Sequence, residues 1–73
     1  MNAHIKAIHT KLQGERDEHL ADLNVYLKNP VGVGEHPGIG EVIQQKIEKI
    51  ESLDSQIECI DRYFNDPQIE FLG

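Results

Sequence analysis

The chain has 73 residues, of which 38% are hydrophobic and 27% charged, with a formal net charge of −6. That length allows one domain and lies near the size at which a single core is barely sufficient. The acidic balance lacks the basic stripe that binds nucleic acid or anionic lipid, so DNA, RNA and membrane are not expected partners.

The charge is uneven. Residues 1–34 carry Lys6, Lys11, Arg16 and Lys28 against Glu15, Asp17, Glu18 and Asp22, whereas residues 35–73 carry nine acids against Lys46, Lys49 and Arg62. The single cysteine, Cys59, allows neither an internal disulfide nor a cysteine-based zinc site. Its place between Glu58 and Ile60 suggests a semi-buried spacer in a reducing compartment. The first residues, with His4, Lys6 and His9 among short apolar steps and no continuous apolar run, are not expected to act as a signal peptide or membrane span. A cytoplasmic location is expected.

In the first segment Ile5, Ile8 and Leu12 step by three and four, and so do Leu20, Leu23 and Leu27. Each triplet makes an apolar stripe on a helical face. The triplets do not share one heptad frame: from Leu12 the regular alternation lands on Glu15 and His19, and Leu20 is reached only by steps of four through Arg16. Such spacing predicts a stutter, a local unwinding of a supercoil. The run from Gln13 to His19 has no apolar side chain, and Gly14 costs a helix interior about 1 kcal/mol against alanine. One alternative is a break near Gly14, with Thr10 and Gln13 capping a new start. Because the apolar face resumes where a stutter would place it, one helix over about 3–28 is expected.

The connector, about 29–38, follows. Asn29 before Pro30 is pushed toward extended backbone, and the stretch from Asn29 to Gly40 holds two of the three prolines and four of the six glycines. Helix resumes near Ile39. The loop is longer than most helix–helix connections, which makes Val31, Val33 and His36 candidate partner contacts. The alternative is that the two valines fold back over the end of the hairpin. No lysine follows the glycines, and Glu35 would repel an anion, so phosphate binding is not expected.

The block Tyr26-Leu27-Lys28-Asn29-Pro30-Val31-Gly32-Val33-Gly34-Glu35-His36-Pro37, with the Ile- and Glu-rich segment after it, resembles short uncharacterised proteins of tailed, T-even-like marine bacteriophages. The likeness spans roughly residues 20–65. It implies a viral origin and a non-enzymatic role, and it carries over no catalytic residue.

The second segment is the best patterned. Ile39, Ile43, Lys46, Ile50, Leu53, Ile57, Ile60 and Phe64 fall at alternating steps of four and three, with Lys46 the one polar member. A 3.5-residue repeat of this length predicts a coiled-coil seam, here through Ile43, Ile50, Leu53, Ile57, Ile60 and Phe64. Asp66-Pro67 should end the helix, about 39–65, with Asn65 as a left-handed cap. Folding one helix back on the other sets Arg16 opposite Asp54 as a register pair, and His19 opposite Glu51.

Candidate chemistry is sparse. Glu15, His19 and Asp22 share part of a helical face, but the Glu-x-x-His spacing of di-iron bundles is absent, and His4 and His9 do not share a face. Ser52 and Ser55 lie on the acidic helix without a neighbouring base. No catalytic, metal or cofactor site is expected. After Pro67 the tail, 66–73, alternates apolar and polar residues, so Ile69, Phe71 and Leu72 either bind a partner or cover Ile5 and Ile8.

These readings converge on one all-α domain, 1–73: an antiparallel two-helix hairpin, coiled-coil-like and completed to a four-helix bundle by self-association. Two helices bury only one stripe each, which barely offsets the entropy of ordering them. The expected role is a non-enzymatic, phage-encoded interaction or structural protein whose partner is itself, as dimer or tetramer, or a virion or host protein. A regulator that redirects a host enzyme and a carboxylate–histidine metal bundle are the rivals.

Overall fold

A computed structural model describes residues 1–28 and 38–64. Within them the chain forms two helices, α1 over Ala3–Lys28 and α2 over Ile39–Tyr63, packed against each other, and no strand. Residues further along α1 meet residues further back on α2, His9 with Asp61, Arg16 with Asp54 and Asp22 with Lys46, so the two run antiparallel.

Each boundary has a local cause. Asn2 caps α1: its Oδ1 accepts the Ile5 N–H at 2.8 Å and its carbonyl accepts that of Lys6 at 2.9 Å. This cap was not anticipated from sequence. Before α2, Gly38 has φ 85° and ψ 16°, a left-handed conformation that side chains resist. Its carbonyl takes the N–H groups of Glu41 and Val42 at 3.0 and 3.1 Å, and Glu41 adds a favourable charge to the first turn. At the far end the Phe64 N–H makes a last helical bond to the Ile60 carbonyl at 2.8 Å, and the Phe64 backbone, at φ −126° and ψ 3°, leaves the helical conformation, so α2 ends at Tyr63.

The expected stutter in α1 does not occur. The helix runs unbroken for 26 residues through Gly14, whose missing Cβ would touch nothing within 4 Å. The residues it turns inward are Ile5, His9, Leu12, Arg16, His19, Leu23 and Tyr26, each buried or half-buried, at strictly alternating steps of four and three. The seam is therefore one continuous heptad in which His9, Arg16 and His19 occupy positions that apolar residues usually hold. Ile8, Leu20 and Leu27, assigned from sequence to the apolar face, are instead exposed on its margins.

The core is short and lies toward the open end. Leu12, Leu53, Ile57 and Ile60 are its only buried members among the described residues, with Met1 and Ile5 packed against them. Toward the connector, Ile39, Ile43, Ile50, Leu23 and Tyr26 are half-buried. Cys59, expected to be semi-buried, is exposed. Val31, Val33, His36, Ile69, Phe71, Leu72 and the Asn65–Pro67 stop lie outside the described residues.

Candidate interaction surface

Three polar levels cross the seam. Nearest the open end, His9 Nε2 stands 2.9 Å from Asp61 Oδ1; a carboxylate only accepts, so this ring nitrogen carries the proton. In the middle, Arg16 reaches Asp54 at 3.6 Å and its own neighbour Asp17 at 3.1 Å. Nearest the connector, the Lys46 ammonium donates to Asp22 Oδ2 at 2.9 Å and to His19 Nδ1 at 3.2 Å. An ammonium only donates, so His19 Nδ1 is the acceptor of this bond.

His19 thus meets Lys46, not the Glu51 expected opposite it; Glu51 takes the Ser55 hydroxyl at 3.2 Å along its own helix. The Lys46 and Arg16 side chains are only 21% and 27% exposed, while their carboxylate partners are about half exposed. Pairs of this kind contribute roughly 0–1 kcal/mol each. Their greater effect is on alignment. Sliding α2 by one heptad would set Ile47 against Arg16 in place of Asp54, taking the guanidinium from its partner.

The pairs also identify a flank. In an antiparallel coiled coil the residues that follow the seam on one side of both helices lie together. Asp54 and Asp61, bonded to Arg16 and His9, mark that side of α2. Ile47 is one heptad before Asp54 on the same side, and Leu20 and Leu27 hold the equivalent places on α1. Their exposures are 52%, 44% and 61%. The flank is thus paired and charged toward the open end and bare and apolar toward the connector.

Of the seam residues read from sequence, Leu53, Ile57 and Ile60 are buried by α1, Ile43 and Ile50 are half-buried, and Phe64 is exposed. Glu15, His19 and Asp22 do not converge: Glu15 lies 3.9 Å from Lys11, and the other two share Lys46. No group of three or more metal-ligating side chains occurs among the described residues. Two open depressions, of about 240 and 200 Å³, are lined by Glu41, Gln44, Gln45 and Glu48, and by Glu15, His19, Lys49, Ser52 and Leu53. No described helix is long and apolar enough to cross a membrane.

Among the described residues these features define an all-helical hairpin with a polar-zipped seam and an exposed apolar flank toward the connector, an architecture that by itself specifies no activity. No protein-family model, curated protein or solved structure matches this chain.

Proposed function

We propose that this chain is a small non-enzymatic interaction protein that acts by binding another protein surface along its helices. The observation that carries the reading is the bare flank: Leu20, Leu27 and Ile47 stand 44–61% exposed beside a core of four buried residues. Apolar groups aligned on one side of a small domain mark a binding surface more often than a solvated one. The a/d seam, expected from sequence to be the binding element, is occupied by the chain's own second helix, so the flank takes that role.

The reading includes the setting implied by the phage resemblance: cytoplasmic in the host cell, as a component of a virion or as a ligand of a host protein. A virion role predicts co-purification with particles, and a host-directed role predicts capture of one protein from infected-cell lysate. The decisive comparison is affinity capture with the tagged full chain and with its Ile47→Asp variant. Partner recovery that needs the intact flank supports the proposal. Equal recovery by both forms removes the flank from it, and no recovery by either removes the proposal.

A further inference from the structure

Resting on that interaction reading, we infer that the flank of Leu20, Leu27 and Ile47 docks on the same flank of a second copy, about a two-fold axis crossing the hairpin near Ile47. Two observations select this occupant. The first is self-complementarity. By the register that pairs Arg16 with Asp54, Ile47 on α2 lies midway in height between Leu20 and Leu27 on α1. An axis at that height sets Ile47 against its own copy and Leu20 against the partner's Leu27, which is the isologous match a two-fold requires. Toward the connector, seam plus flank gives α1 Leu20, Leu23, Tyr26 and Leu27 and gives α2 Ile43, Ile47 and Ile50, an apolar stripe wider there than the two-in-seven of a lone coiled coil.

The second observation is charge. Next to that axis Leu20, Asn24, Leu27, Gln44 and Ile47 are exposed and uncharged, bordered one turn away by Glu51 on α2 and Asp17 on α1. The acids of the same flank, Asp54 and Asp61, lie toward the open end and already face Arg16 and His9. Antiparallel docking sends the acidic halves of the two α2 helices in opposite directions. Docking with both connectors at one end would instead lay the partner's α2 acids along the stretch of α1 that holds Asp17.

Three apolar side chains per copy make an interface well below the roughly 800 Å² per partner of a standard complex, so the dimer is weak. The test uses the purified full chain alone, with Cys59→Ser to prevent adventitious disulfides. Sedimentation from micromolar to millimolar concentration should show mass rising from one chain toward two. Ile47→Asp should hold it at one chain with helicity unchanged, since Ile47 lies outside the buried core; Leu20→Gln serves if that variant unfolds. Under mild oxidation Ile47→Cys should give a covalent dimer in several-fold higher yield than Gln56→Cys on the other flank. A Cys59→Ser chain with the flank otherwise intact that stays single at millimolar concentration overturns the inference while leaving the interaction reading to its own capture experiment. A dimer unaffected by both flank variants, or equal cross-linking at the two cysteine positions, overturns it as well.

Discussion

Gly14 is the residue at which the continuity of α1 can be tested most directly. It sits mid-helix on the exposed side, its φ is not positive, and an added Cβ would meet nothing within 4 Å. Gly14→Ala therefore changes no packing. It removes unfolded-chain freedom and supplies helix propensity, together worth about 1 kcal/mol in favour of the fold. For a domain of this size that raises the thermal midpoint by roughly 4–8 °C. Circular dichroism melts at a fixed chain concentration measure it, and fixed concentration matters because association also shifts the midpoint. Gly38→Ala is the paired control: at φ +85° it should lower stability by about 1–2 kcal/mol even though only the Glu41 carboxylate comes within 4 Å. An unchanged or lowered midpoint for Gly14→Ala would mean that residue 14 is not helical in the folded chain, and the single continuous seam would fall with it.

Ile57 is buried against α1, so Ile57→Ala should cost about 2–5 kcal/mol and leave much of so small a chain unfolded by circular dichroism. A fully helical Ile57→Ala chain that had merely changed its mass would return Ile57 to an intermolecular seam. Lys46→Glu would set a second carboxylate beside Asp22 in place of the ammonium that now donates to Asp22 and His19; a loss of about 1–2 kcal/mol in urea unfolding is expected, and no loss would show that level to be solvated. For Arg16 and Asp54, a double-mutant cycle should return a coupling below about 1 kcal/mol, because the carboxylate is half exposed and Arg16 also holds Asp17. A coupling several times larger would mean that this level is drier than its exposure indicates.

The all-helical hairpin was legible because its signals are local: a 3.5-residue apolar repeat in the second segment, and proline and glycine clustered between the segments. The α1 seam was misread for an equally plain reason. Periodicity counts apolar residues, and three of the seven inward positions carry His9, Arg16 and His19, whereas Leu20 and Leu27 repeat convincingly one position off the seam. Those two leucines were legible as apolar and helical, but not as a flank.

By itself, then, the sequence determined which stretches are helical, roughly where they stop and how the excess charge is distributed, since each depends on residues within a few positions of one another. Only the tertiary structure decided which side of α1 faces inward. A basic residue can sit in a seam only where the facing helix brings a partner, and Asp61 and Asp54 arrive at His9 and Arg16 from far along the chain, while His19 is accepted there because Lys46 can donate to it. Once those polar levels set the rotation of α1, Leu20 and Leu27 turn outward beside Ile47, and a surface that no local pattern marks comes into being.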